Sequence, residues 1–234
     1  MKNNNEIYFN APVQLLEGFL IDKNKNLDDI LYYALYARSL KLDYNSEQER
    51  FIAAADYMNV NLINSDMVYI RGKELYNSID TDSPMIGISR LNFWEFRDNT
   101  KSEWDCVCLL GFLALKTIIG NKEYSKTTNN LWYARMDGKV KSIENASELS
   151  INIQKYYSEY KSRRLRKTLE LEWHMPIYCQ HTKGFYFTIK GSKESIVTIA
   201  EQRKSYFREK IRREEEKAII KKVKSRLKTG EPIY

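Results

Sequence analysis

Residues 147–190 decide the fold, and they read SELSINIQKYYSEYKSRRLRKTLELEWHMPIYCQHTKGFYFTIK. Apolar side chains recur in this stretch at helical spacing, first over Glu148–Tyr157 and again over Lys161–Trp173. Only residues 158–160 separate the two patterns. The sequence therefore predicts two short helices joined by a tight turn.

A hairpin is predicted directly after these helices. Pro176 ends helical structure, since proline disfavours the α conformation in the residue before it. Ile177–Gln180 and Phe185–Ile189 then have strand composition, with alternate side chains facing opposite sides of the second strand. Gly184 ends the turn between them and is expected to supply a positive φ angle.

The second helix has two different faces. Leu165, Leu169 and Trp173 recur every four residues and form one apolar face. Three cations, Arg163, Arg164 and Lys167, fall on the opposite side. Guanidinium groups make forked contacts with phosphate and with the O6/N7 edge of guanine.

The order helix, turn, helix, hairpin resembles the winged helix-turn-helix of DNA-binding regulators and of phage and plasmid replication proteins. The resemblance extends over residues 101–190 if a helix at 101–120 is the first of the module. It implies that the second helix enters the major groove and that the hairpin, the wing, contacts the DNA backbone. The residues that it implies for DNA binding are Lys161, Ser162, Arg163, Arg164 and Lys167 on the helix, and Thr182 and Lys183 on the wing.

Charge is distributed unevenly along the chain. The formal net charge is +7. Residues 1–150 hold 17 lysines and arginines against 21 acidic residues, whereas residues 151–234 hold 21 against 10. This asymmetry is expected of a nucleic-acid binder with a separate, partner-facing portion, and an anionic membrane surface would also attract the basic part.

The rest of the chain is predicted to be mainly helical. We expect an acidic helical portion over residues 1–100, with helices at Leu27–Leu40, Glu47–Met58 and Asp66–Ile79. A winged helix-turn-helix portion follows over 101–192. Within it, the strongly apolar stretch 101–119 predicts a central helix that ends at Gly120.

Residues 121–138 offer a second candidate recognition helix, over about 128–136. No hairpin pattern follows it, so a tandem module stays an alternative to the single one. Its candidate polar contacts are Lys126, Thr127, Asn129, Asn130 and Arg135.

The last portion, residues 193–234, is predicted to form a long basic helix over Ser195–Lys228. Its apolar stripe is too broken for a long coiled coil. The open interpretations are an oligomerisation helix, a basic arm along phosphates, a membrane-surface helix, or a solvated helix without a specific role.

Several classes of function are not favoured. Residues 1–10 lack the apolar segment of a signal peptide, and no long apolar run predicts a membrane span. The three cysteines suggest neither a disulfide framework nor a zinc site, which favours a reducing compartment such as the cytoplasm. We expect no metal, no cofactor and no enzymatic activity.

These patterns predict a DNA-binding transcription regulator or replication protein of a phage or plasmid. The acidic N-terminal portion or the C-terminal helix would contact a protein partner or a second copy of the chain. The alternative is a non-enzymatic adaptor or structural protein that uses the winged module and the basic helix for protein assembly.

Overall fold

A computed structural model describes residues 6–79, 82–179 and 184–229, with side chains described up to residue 225. The fold is mainly helical, as predicted, with two small antiparallel sheets and a long C-terminal helix. The helices are α1 Lys23–Ser39, α2 Glu47–Met58, α3 Ser65–Ser78, α4 Arg90–Asp98, α5 Glu103–Ile119, α6 Asn129–Met136, α7 Ile151–Gln154, α8 Glu159–Leu171 and α9 Lys193–Thr229. The strands are β1 Tyr8–Pro12, β2 Met85–Ser89, β3 Tyr124–Thr127, β4 Ile177–Tyr178 and β5 Phe185–Thr188.

Capping side chains determine where α1 and α2 begin. The hydroxyl of Ser46 accepts a hydrogen bond from the N–H of Glu49 at 3.1 Å, so α2 begins where the sequence predicts. Helix α1 begins four residues earlier than predicted because Asp22, rather than Asn26, caps it. Asn26 is buried instead, and its amide donates to the carbonyl oxygen of Leu15 at 2.8 Å.

The first sheet pairs β1 with β2, with Phe9 opposite Ile88. The second sheet has the order β3-β5-β4. Its β4–β5 hairpin confirms the predicted wing strands, but β3 was missed, because its short polar sequence YSKT has the composition of a turn.

The two faces of β5 pack against different parts of the molecule. Phe185 and Phe187 are fully buried in the main core. Tyr186 faces the other way and packs with Ile196 and Ala200 of α9. The predicted alternation along this strand is confirmed, and α9 covers the outer face of the sheet.

The helix predicted at roughly Glu148–Tyr157 is confirmed only as a single turn, α7. A 3-10 turn at Ala146–Glu148 and the single turn of α7 occupy this stretch. The buried carboxylate of Asp137 accepts hydrogen bonds from the N–H and the hydroxyl of Ser150, at 2.9 and 2.5 Å. These bonds hold Ser150 in an extended conformation, with ψ at 148°, so a helix cannot run through it. The single turn of α7 directly precedes α8, the nearest longer helix before it is α6, and residues 137–158 connect α6 to α8.

Helix α5 is the centre of the molecule, as predicted. Val107, Leu110 and Leu113 have no exposed surface. One continuous cluster of buried side chains runs from β1 through α5 to β5 and crosses the predicted boundary at residue 100. The acidic portion and the following residues thus share a hydrophobic core.

Helix α9 leaves the body of the molecule after its first turns. Ile196 and Ala200 are buried, whereas residues 205–222 are all exposed. None of the helices described combines the length and apolarity that a membrane span requires.

The cysteines lie in two different environments. Cys106 and Cys108 are buried on α5, and Cys179 is exposed beside the hairpin. Burial raises the pKa of Cys108 to about 12 and also raises the pKa of Cys106.

A buried carboxylate joins α1 to α3. Asp29 accepts a forked pair of hydrogen bonds from Arg71, at 2.9 and 3.0 Å, and a third from Lys25 at 2.9 Å. Burial by itself raises the pKa of Asp29, but the hydrogen bonds from Arg71 and Lys25 outweigh it, so the net pKa is lowered.

We expect Asp29→Asn to lower the free energy of unfolding by about 1–3 kcal/mol at pH 7, since Arg71 loses its charged partner. Because the folded-state pKa is lowered, this contribution is present above the ordinary carboxylate range and is lost as the pH falls through the lowered value. Urea denaturation at pH 7 and below about pH 4 measures the difference between variant and wild type, which should shrink at the lower pH.

The matched control is Glu74→Gln, which removes the exposed second partner of Arg71, 3.6 Å away. It should cost at most about 0.5 kcal/mol. Equal losses for the two variants at pH 7 would contradict the assignment of the bridge to Asp29.

Candidate nucleic-acid interface

Helix α8 is fixed to the body by its inner face. The hydroxyl of Ser158 caps it by accepting from the N–H of Lys161 at 3.2 Å. Leu165 and Leu169 are buried against α5 at Gly111, where a Cβ atom would lie 3.3 Å from Leu165 Cδ2. This close approach sets which side of α8 faces outward.

Three of the predicted cations share the outer face of α8. Arg163, Arg164 and Lys167 are all exposed. Arg163 pairs with Glu159 at 2.8 Å, and such an exposed pair contributes little and opens readily. Within the described part of the chain, Lys167 forms no ion pair. These cations are therefore free to contact an external anion.

Arg164 is oriented by an aromatic ring. Its guanidinium carbon lies 4.3 Å from the ring centroid of Trp104, at the start of α5. A cation held over an indole face keeps its charge at a defined position without an acidic partner. Arg164 is thus exposed and pre-positioned.

Two predicted contacts on α8 point elsewhere. Ser162 is wrong as a groove residue, because it is only 1% exposed and its hydroxyl donates to the hydroxyl oxygen of Tyr133 at 3.0 Å. Lys161 is half-buried, and its ammonium donates to the carbonyl oxygen of Lys155 at 2.6 Å. The Lys161 ammonium also lies 5.2 Å from the ring centroid of Tyr156.

The predicted wing contacts, Thr182 and Lys183, lie outside the described residues. Gly184, the next residue, has the predicted positive φ, at 85°. A Cβ atom there would lie 2.0 Å from the carbonyl oxygen of Thr127. The hairpin therefore meets the end of β3 at a point that only glycine fits.

Sequence reasoning missed Arg166, which links three elements. Its Nη1 donates to Asn129 Oδ1 of α6 at 2.9 Å, and its guanidinium carbon lies 5.3 Å from the ring centroid of Phe185 in β5. Its Nε is buried without a hydrogen-bond partner among the described residues. Arg166 follows Ser162 by four residues, and this helical spacing puts it toward the inner side of α8. Nothing in the sequence indicated which residues it contacts.

A groove of about 720 Å³ opens between α8, the start of α6 and the hairpin. Its polar lining includes Arg163, Arg166, Asn129, Thr128 and Ser158. The groove borders the outer face of α8, so an anion there would be adjacent to Arg163 and Arg166. It adds a second polar surface to the three outer cations.

Most of the polar residues that were predicted to contact DNA from the alternative recognition helix make contacts within the protein instead. Thr127 is buried, and Asn130 accepts a hydrogen bond from the hydroxyl of Tyr157 at 2.6 Å. Arg135 donates to the carbonyl oxygen of Lys139, and burial lowers its pKa. Lys126 is exposed but lies over Tyr186, on the α9 side of the sheet. Of this set, Asn129 and Asn130 line the groove beside α8.

We expect Gly184→Ala to lower the free energy of unfolding by about 2 kcal/mol or more, because it combines a positive φ with overlap against Thr127. Gly18→Ala is the matched control. Gly18 also has a positive φ, of 75°, but a Cβ atom there meets nothing within 4 Å. The Gly18→Ala variant should lose about 1 kcal/mol in the same urea titration. A Gly184→Ala loss no larger than the control loss would refute the close contact.

No family model, no curated protein and no solved structure matches the chain. Across the residues described, no group of three or more His, Cys, Asp or Glu side chains is placed to hold a metal ion.

Proposed function

We propose that the protein binds DNA through a winged helix-turn-helix in which α8 enters the major groove and the β4–β5 hairpin is the wing. One observation carries this proposal. Arg163, Arg164 and Lys167 are exposed together on the outer face of α8, while Leu165 and Leu169 fix its inner face to α5.

The element order around α8 supports the proposal. Helices α5 and α6 pack behind α8, and the β3-β5-β4 sheet lies beside it. The chain departs from the family pattern in one respect, because residues 137–158 connect α6 to α8 where a helix-turn-helix has a turn of three or four residues. The insertion alters the connection and leaves the cationic face of α8 open.

The dimensions also suit duplex DNA. Helix α8 has 13 residues and is therefore about 20 Å long. The major groove of B-DNA is about 12 Å wide and admits an α-helix. Arginines on α8 would contact phosphates or guanine edges, and the groove that contains Arg166 would accept a backbone phosphate.

The role that fits this chemistry is a transcription regulator or a replication protein of a phage or plasmid, acting in the cytoplasm. The acidic residues 1–100 would not approach DNA and would face a protein partner or a second copy of the chain. Much of the affinity would come from release of counterions.

A second candidate function, protein assembly, is favoured by α9. Phe207, Ile211 and Ile219 are between 54 and 62% exposed along its projecting part. Exposed apolar side chains on a projecting helix are typical of a surface that another protein covers. In this role the projecting helix would join copies of the chain or bind a partner.

We expect the wild-type protein to bind random duplex DNA with an affinity that falls at least about tenfold between about 50 and 200 mM salt. The variant Arg163→Ala/Arg164→Ala/Lys167→Ala should bind at least about tenfold more weakly at low salt, with a salt slope reduced by about three. Fluorescence anisotropy of labelled DNA measures both quantities.

The matched control is Arg208→Ala/Lys210→Ala/Arg212→Ala, which removes the same charge from the exposed part of α9. It should weaken DNA binding by less than about threefold, because these side chains lie outside the proposed groove helix. Equal losses for the two variants would assign binding to net charge, and no binding by the wild type would exclude the DNA proposal.

For the assembly role, we expect Phe207→Asp/Ile211→Asp to shift the sedimentation coefficient toward that of a monomer, since charge would replace the apolar contact. Sedimentation velocity over a concentration series measures this shift. Arg208→Ala/Lys210→Ala/Arg212→Ala is again the control and should leave assembly unchanged. A wild-type protein that is monomeric throughout the series would rule out self-association through α9.

A further inference from the structure

A second concave site lies on another part of the molecule, outside the candidate interface. We call it the lysine cleft, and it is lined by residues that include Tyr8, Gly87, Phe112, Lys116, Lys122 and Lys190. Its volume is about 590 Å³, which is in the range of sites that hold small organic molecules. The β1–β2 pair, the C-terminal part of α5 and the end of β5 form its walls.

The cleft is built around Lys116. The ammonium nitrogen donates to the carbonyl oxygen of Gly87 at 2.5 Å and lies 4.4 Å from the ring centroid of Tyr8 and 5.6 Å from that of Phe112. An ammonium has three donors, and the carbonyl takes one of them. Over the described residues, no carboxylate lies within ion-pair distance of Lys116.

The remaining lining is apolar or basic, apart from the uncharged polar residues Asn10, Thr117 and Asn121. Met85, Ile86, Ile119 and Ile189 contribute hydrocarbon surface, and no acidic residue lines the cleft. Lys122 and Lys190 are exposed at its rim. Burial lowers the pKa of Lys116, and the negative charge of Glu6 partly offsets this lowering.

A half-buried ammonium without a counter-ion is costly, and an anion that reaches it removes part of that cost. The apolar walls favour a ligand that also has a hydrocarbon or aromatic body. An inorganic ion would leave these walls unfilled, and a highly charged ligand would find only one half-buried cation. The complementary ligand is an organic monoanion with an apolar body.

We propose that the lysine cleft binds a small organic acid, a carboxylate or sulfonate with an apolar body, whose anionic group pairs with Lys116. Tyr8 and Phe112 flank the ion pair, and the side chains of Met85 and Ile189 cover the apolar body. Lys122 and Lys190 attract the anion to the opening. This site is independent of DNA binding by α8.

The test uses the full-length chain and two probes, 8-anilinonaphthalene-1-sulfonate, whose fluorescence reports binding, and decanoate as a competitor. We expect saturable binding of one sulfonate per chain and its displacement by decanoate. Lys116→Met keeps a chain of similar size but removes the charge, and it should weaken binding by at least about tenfold.

Lys101→Met is the matched control. Lys101 also lies over an aromatic ring, 5.1 Å from the centroid of Phe96, but it is outside the cleft. Its affinity for the sulfonate should stay within about twofold of wild type, because no contact with the ligand is lost.

A second cleft variant tests the site in case Lys116→Met does not fold. Lys122→Met/Lys190→Met changes only exposed positions and should weaken binding by about threefold or more through loss of attraction at the rim. The proposal is overturned if the wild type shows no saturable binding. It is equally overturned if both cleft variants bind like the wild type, since the probe would then occupy another surface.

Discussion

The structure depends on the close contact at Gly111 on α5. Because residue 111 has no side chain, Leu165 and Leu169 of α8 and Trp132 of α6 all reach the backbone of α5. The indole N–H of Trp132 also donates to the carbonyl oxygen of Gly111, at 2.9 Å. Burial of these large side chains is the main stabilising contribution here, and the single hydrogen bond fixes the orientation of the indole. Two helices are thereby held on the central one in a defined rotation.

That rotation determines what α8 presents to solvent. On a helix, residues three and four apart share a face, so fixing Leu165 and Leu169 inward turns Arg163, Arg164 and Lys167 outward. The cations of this region differ in their surroundings. Arg164 rests on Trp104, whereas Arg166 ties α8 to α6 and β5. The basic composition of α8 does not distinguish the exposed arginine from the structural one, whereas the packing of each side chain does.

Local signals explain which elements were predictable. Helices α2 and α5 have strong caps and a regular apolar pattern, so their positions were evident from the sequence. The helix expected at Glu148–Tyr157 is shortened to α7 because Ser150 donates hydrogen bonds to Asp137, which lies more than ten residues earlier. Strand β3 depends on pairing with β5, about sixty residues later, and its own residues carry no strand pattern. Contacts that are distant in sequence decided both outcomes.

For the candidate site, too, some features could be predicted from the sequence and others could not. Ser162 lies three residues before Leu165 and seven before Leu169, so the helical period could have placed it inside. The partners of Arg166 and the cleft around Lys116 require the tertiary arrangement. Asn129 and Phe185 come to Arg166 from two other elements, and Gly87 comes to Lys116 from β2.

The contrast among the three cysteines has a practical consequence for spectroscopy. Cys106 and Cys108 are buried with raised pKa values, so few of their thiols are ionised near neutral pH. Cys179 is exposed and lines the groove beside α8. A maleimide dye would therefore attach selectively at Cys179 in the native sequence. The protein thus carries its own labelling position next to the groove, where a fluorophore would sense an arriving ligand.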